Sequence, residues 1–168
     1  MTLVLGGARS GKSAYAEALI EACPKPWLYL ATAQAFDDEM VDRIARHRAR
    51  RPEAWRTRDV PLALPEAIAE AEGPVLVDCL TLWLTNLILA EADLEEATVR
   101  LIAACARAPG PLVLVGNEVG LGIVPDNALA RRFRDAAGRL HQRLAIAADR
   151  VVLTVAGLPL IVKPGAPA

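Results

Sequence analysis

Residues Gly6 to Ser13 read Gly-Gly-Ala-Arg-Ser-Gly-Lys-Ser, directly behind the apolar run Leu3-Val4-Leu5. Glycine, four residues, glycine, lysine and serine form the phosphate-binding loop pattern, and the pattern constrains its flanks. A strand must deliver such a loop and a helix must leave it, because backbone N–H groups and the helix N-terminus together make the anion hole. Both flanks fit. The segment Ser13-Ala14-Tyr15-Ala16-Glu17-Ala18-Leu19-Ile20 is helix-prone, with Ala16, Leu19 and Ile20 able to pack on a sheet. The chemistry assigns roles: Lys12 reaches the outer phosphates, Ser13 ligates magnesium, and Gly6 and Gly11 let the backbone approach the anion. The bland alternative is an ordinary glycine turn.

Apolar runs alternate with alanine-rich helical segments along the rest of the chain, the pattern of a mainly parallel sheet covered on both faces. Strands are predicted at 2–6, 27–32, 74–78, 112–116 and 150–156, with weaker signals at 55–59 and 159–163. Gly157 between the last two suggests an antiparallel hairpin at the sheet edge. Helices are predicted at 12–22, 37–50, 64–72, 80–91, 93–107 and 127–148. The expected fold is therefore α/β, a phosphate-loop NTPase-like three-layer sandwich on about seven strands, in a single domain over 1–168.

Composition narrows the function classes. A chain of 168 residues can bury roughly 70% of its unfolded surface without disulfides or metals to staple it. The net charge of −1 argues against a general nucleic-acid binder. Cys23, Cys79 and Cys105 lack the paired spacing of structural zinc sites and read as buried thiols in a reducing, cytoplasmic setting. The short lead into the phosphate loop leaves no removable secretion signal, and the longest apolar stretch, Cys79 to Ala90, is too short to span a bilayer.

Asp78 closes the run Pro74-Val75-Leu76-Val77-Asp78, where a phosphate-loop enzyme puts its second magnesium carboxylate. It could also be an N-cap acid for the helix that follows, and both roles can hold together. That helix, from Leu80 to Ile88, is apolar on nearly every side. It calls for cover on more than one face, from a neighbouring subunit or from the core.

Arg43, Arg46, Arg48, Arg50, Arg51, Arg56 and Arg58 crowd one region of a chain with only three lysines. Forked guanidinium donors suit phosphate oxygens, although a charged helix face is often simply solvated. His47 lies among them, three residues after Ile44 and seven after Met40, which turns it toward the apolar side of a helix. A neutral imidazole there could attack phosphorus and pass the group on, or be a core histidine. His141, on the helix at 127–148 amid Arg139 and Arg143, reads as a surface residue. The segment from Asn117 to Asn127 follows a buried strand at the carboxyl side of the sheet, where α/β proteins build ligand sites. Its Glu118 could serve proton transfer, help hold magnesium, or anchor the loop.

The phosphate loop is joined by three further blocks: Ala31-Thr32-Ala33-Gln34 with Asp37-Asp38-Glu39-Met40; Arg43-Ile44, His47, Arg51-Pro52 and Trp55-Arg56-Thr57; and Asn117-Glu118-Val119-Gly120 with Gly122-Ile123-Val124-Pro125. Together they resemble the bifunctional adenosylcobinamide kinase/adenosylcobinamide-phosphate guanylyltransferase family of cobalamin biosynthesis, nearly end to end. The resemblance implies phosphorylation of adenosylcobinamide by a nucleoside triphosphate, ATP or GTP. It then implies attack of His47 on the α-phosphorus of GTP and transfer of GMP to adenosylcobinamide phosphate, giving adenosylcobinamide-GDP. It further implies nucleotide contacts from Gly6, Gly7, Ala8, Arg9, Ser10, Gly11, Lys12, Ser13, Thr32, Ala33 and Gln34, with Arg48, Ala49, Arg50 and Arg51 beside the nucleophile. The resemblance also implies that Asp59 and Asp78 fall at acidic positions of the nucleotide site and that the assembly is a homotrimer, while the phosphate-loop pattern itself gives Ser13 and Asp78 to Mg2+. Competing readings are a simple phosphate-loop kinase with a structural His47 and a nucleotide-gated switch.

Overall fold

The computed structural model describes residues 1–34 and 52–165. Seven strands form one sheet: β1 (Thr2–Gly6), β2 (Trp27–Ala31), β3 (Trp55–Asp59), β4 (Val75–Asp78), β5 (Leu112–Asn117), β6 (Arg150–Val155) and β7 (Leu158–Lys163). Among the described residues the helices are α1 (Lys12–Glu21), α2 (Leu64–Ala69), α3 (Leu80–Leu89), α4 (Leu94–Ala106) and α5 (Ala128–Ala147). The helix predicted at 37–50 lies outside the described residues, as do His47, Arg48, Ala49, Arg50 and Arg51.

The strand order is β3-β2-β4-β5-β1-β6-β7. Every neighbouring pair is parallel except β6 with β7. The hairpin expected from Gly157 is present, with Ala156 and Gly157 both at positive φ in its turn. After β1 the chain departs toward β2 on one side, and after β5 it crosses to β6 on the other. The carboxyl end of β1 is thus a topological switch point, the place where open α/β sheets bind ligands.

Alternation along the buried strands sorts the core into two layers. Leu3, Leu30, Val77, Leu114 and Val151 face α2 to α5, where Leu64, Ile68, Leu80, Trp83, Leu101, Leu140 and Leu144 meet them. Val4, Tyr29, Leu76, Val113 and Val115 face the other way, onto Ala16 and Ile20 of α1. Trp27 and Trp55 close that second layer with ring centroids 5.4 Å apart. The result is the three-layer arrangement expected from the sequence.

The helix ends carry their own signals. Asp93 accepts hydrogen bonds from the N–H groups of Glu95 and Glu96, and Asn127 accepts one from Ala130, so α4 and α5 each begin on a side-chain cap. Lys163 donates to the carbonyls of Ala145, Ile146 and Ala148 at the far end of α5.

The apolar helix α3 is covered within the chain. Leu80, Thr81, Trp83, Leu84, Asn86, Leu87 and Ile88 are all buried, and Leu89 is exposed. Its core reading accounts for this burial without a neighbouring subunit.

Candidate active site

β1 ends at Gly6, and the chain turns through Gly7, Ala8 and Arg9, all exposed, to reach Lys12 at the start of α1. Close packing fixes this turn from below. Ser10 is buried, and its hydroxyl lies 2.8 Å from Thr154 Oγ1 on β6. A methyl group on Gly6 would sit 2.3 Å from Thr154 Oγ1 and 2.4 Å from Ser10 Oγ, so no side chain fits there. Gly11 adopts φ 93°, in the left-handed region that glycine enters without strain. The turn of the β6–β7 hairpin seals the loop from the side, with Gly157 N–H donating to the Ser10 carbonyl at 2.9 Å. Lys12 Nζ donates to the Gly7 carbonyl at 3.1 Å, which holds the ammonium over the mouth of the loop.

Asp78 ends β4, one strand away from β1 across β5. Its Oδ2 accepts hydrogen bonds from Ser13 Oγ and from Tyr29 Oη, each at 3.0 Å. The N-cap position of α3 belongs to Cys79, with no side-chain capping bond. The helix-cap reading of Asp78 is therefore corrected: its carboxylate is turned to the phosphate loop. Tyr29 was not anticipated. A tyrosine on the same strand face as Trp27 has a polar tip that needs a partner when buried, and that was the available signal.

Ala31 pairs with Asp59 on one side and with Asp78 on the other, placing both acids in one row at the carboxyl end of the sheet. Asp59 is exposed, as are the preceding residues Arg56 to Arg58 of this edge strand. Thr32, next along from Ala31, is fully buried and its hydroxyl is occupied. It donates to the Cys79 carbonyl at 2.7 Å and accepts from the Cys79 N–H at 2.9 Å. Asn86 Nδ2 bridges the Thr32 and Pro61 carbonyls at 2.8 and 2.9 Å. Thr32 thus pins the end of β2 to the end of β4, and Ala33 and Gln34 continue from it, half-buried.

On the other flank, Gly6 pairs with Asn117. Glu118 N–H donates to the Gly6 carbonyl at 3.0 Å, and Asn117 N–H to Thr81 Oγ1 at 2.7 Å. The Glu118 carboxylate accepts from Gly120 N–H at 2.6 Å and from Leu121 N–H at 3.2 Å. Among the readings open to Glu118, these bonds support the loop anchor.

His141 departs from the surface position expected of it. Its Nε2 is buried without a hydrogen-bond partner among the described residues, against Gly116 of β5, where a methyl group would sit 2.7 Å from that nitrogen. Burial lowers its pKa below the ordinary 6.5, and the Glu118 charge opposes the shift. The helical period of α5 carries His141 one residue past Leu140 on the buried stripe, a signal its arginine neighbours obscured. All three thiols are free, and Cys79 and Cys105 are buried as expected, whereas Cys23 is only half-buried; burial pushes Cys105 up to about 12.

The geometry joins a phosphate loop, its lysine and serine, and a strand-end carboxylate. Comparison with known proteins supplies the family. The family described as cobinamide kinase / cobinamide phosphate guanyltransferase matches residues 2–162. The chain belongs to this family. It is an enzyme of that bifunctional kinase and guanylyltransferase class. A bifunctional adenosylcobalamin biosynthesis protein CobP from Pseudomonas aeruginosa is 52% identical over 166 residues, covering 96% of each chain. The CobU proteins of Salmonella typhimurium and Escherichia coli, both named bifunctional adenosylcobalamin biosynthesis protein, are 47% and 46% identical, covering 97% of this chain and 99% of theirs.

Solved structures agree on the fold. A Pyrococcus horikoshii protein superposes with a TM-score of 0.56 at 9% identity, covering 98% of this chain and 86% of its own. A RadB recombinase superposes at 0.50 with 16% identity, covering 90% and 72%. At such identities the likeness concerns architecture alone, and that architecture is phosphate-loop NTPase-like.

Proposed function

We propose that this family member works as one domain carrying both reactions. A nucleoside triphosphate phosphorylates the side-chain hydroxyl of adenosylcobinamide, and GMP then passes from GTP to the resulting phosphate through His47. The observation that carries the reading is the meeting of Ser13 Oγ and Asp78 Oδ2 at 3.0 Å beside loop Gly6–Ser13, in a chain matched to the family over residues 2–162.

Backbone N–H groups of the loop and the start of α1 receive the phosphates, and Lys12 moves from the Gly7 carbonyl onto the outer phosphates. Two oxygen donors converging from a loop and a strand end suit a hard divalent cation that takes its remaining ligands from phosphate and water. Ser13 and Asp78 would hold Mg2+, which neutralises charge on the phosphates when bound. Thr32 fixes the ledge from which Ala33 and Gln34 approach the nucleotide, and Asp59 shares the sheet edge with Asp78.

In the second reaction an imidazole nitrogen of His47 attacks the α-phosphorus of GTP, and the bond to pyrophosphate breaks. An oxygen of the acceptor phosphate then attacks the same phosphorus, the nitrogen–phosphorus bond breaks, and His47 is regenerated. Arg48, Arg50 and Arg51, flanking Ala49, offset the charge on the triphosphate and the departing pyrophosphate. Assembly as a homotrimer and a cytoplasmic setting belong to the same proposal. Among the described residues no helix is long and apolar enough to cross a membrane.

The test is product analysis. Purified protein with magnesium, ATP and adenosylcobinamide is expected to yield adenosylcobinamide phosphate, and added GTP to convert it to adenosylcobinamide-GDP with release of pyrophosphate. Formation of the phosphate alone would reduce the protein to a simple kinase.

A further inference from the structure

Between β5 and α5, residues 118–127 form a loop whose construction serves more than connection. Its first residue is fastened to the phosphate loop by the 3.0 Å bond from Glu118 N–H to the Gly6 carbonyl. The Glu118 carboxylate folds the next turn back on itself through Gly120 and Leu121. Val119 turns inward and packs against the buried cluster of Leu84, Ile88, Ala136 and Ala137. At the far end, Arg131 Nη1 donates to the carbonyls of Pro125 at 2.9 Å and Asp126 at 2.6 Å.

Between these fixed ends the loop holds apolar side chains out into water. Leu121 is 85% exposed, Ile123 97% and Val124 62%. None of the three serves the core, whereas Val119 two residues earlier does. Grouped apolar side chains on a tethered loop cost solvation without supporting the fold, and such patches mark binding sites. The loop leaves the sheet at its carboxyl end, the ligand side of this architecture, beside the residue that opens the phosphate loop.

We infer that the loop presenting Leu121, Ile123 and Val124 is the docking surface for the corrinoid macrocycle of the acceptor. The inference rests on the function proposed above and names where its second substrate lies. A corrin ring is a broad, largely apolar disc fringed with amides, too large to enter between strands. It must lie on an open surface while its side arm carries the reacting hydroxyl, and later the phosphate, to the nucleotide. A surface rooted at Gly6 meets both demands: apolar contact for the ring face, and adjacency to the phosphates for the arm. A second copy of this chain is the rival occupant.

The test compares the intact protein with the double variant Leu121→Ser, Ile123→Ser, whose altered side chains are solvent-exposed and leave the core untouched. Adenosylcobinamide and GTP binding are each measured by equilibrium dialysis, and particle mass by light scattering. The expected result is adenosylcobinamide affinity weakened at least about tenfold, with GTP affinity and mass unchanged. Equal adenosylcobinamide affinity in the two proteins would overturn the assignment while leaving the proposed function standing. A smaller particle mass in the variant would give the loop to contacts between copies instead. Failure of the intact protein to bind adenosylcobinamide would overturn the proposed function, and the docking surface with it.

Discussion

Ser13 Oγ donates a 3.0 Å hydrogen bond to Asp78 Oδ2, joining the first turn of α1 to the end of β4 across 65 residues of sequence. Tyr29 Oη reaches the same carboxylate oxygen from β2. Three elements thus meet at one carboxylate beside the phosphate loop, at the position where the proposed function would have Mg2+ held.

Asp78→Asn keeps the size of the side chain and removes its charge. The magnesium concentration for half-maximal activity is expected to rise by roughly 10–100-fold, with the thermal midpoint little changed. Magnesium titration of the kinase reaction checks this. An unaltered magnesium dependence would make Asp78 a structural link between α1 and β4.

Gly6→Ala places a methyl group 2.3 Å from Thr154 Oγ1 and 2.4 Å from Ser10 Oγ. The loop or β6 must shift, at a cost of about 1–3 kcal/mol in stability, and GTP affinity is expected to fall with it. Denaturant unfolding and GTP titration report the two effects. Thr154→Ala removes one of the clashing oxygens, and adding it to Gly6→Ala is expected to recover part of the loss.

His141 contributes a pH dependence whose sign follows from burial. Its folded pKa lies below the ordinary 6.5, so as pH falls through that value the unfolded chain takes up a proton that the folded chain resists. Its contribution is complete above the unfolded value, is lost as pH falls below it, and levels off below the folded value. Unfolding midpoints measured from pH 8 to pH 5 are expected to drop less in His141→Gln than in the parent. Parallel curves would show that His141 does not govern this window.

Much of the fold was legible because buried parallel strands are short apolar runs and their crossovers are alanine-rich helices. All seven predicted strands are present within a residue or two of their expected ends. The weak signal at 55–59 is a real strand because β3 is an edge: only Trp55 faces the core, and Arg56 to Asp59 are exposed. Pairings across the sheet were less visible. Nothing local in Ser10 foretells Thr154, 144 residues away, and nothing in Tyr29 foretells Asp78. Thr32 shows the same limit: the resemblance implies a nucleotide contact there, and nothing local foretells that its hydroxyl bonds both the carbonyl and the N–H of Cys79, 47 residues away. His141 was misread because its charged neighbours masked a tip that Gly116 leaves room for.

The most direct measurement concerns the route of GMP. The protein is incubated with magnesium and GTP labelled at the α-phosphate, quenched in base, digested and mapped. Label that is acid-labile and base-stable, sits on His47, is absent when the γ-phosphate carries it, and disappears in His47→Ala and Lys12→Ala is the predicted result. Protein that binds GTP and forms adenosylcobinamide-GDP without ever carrying label at His47 would contradict the covalent route.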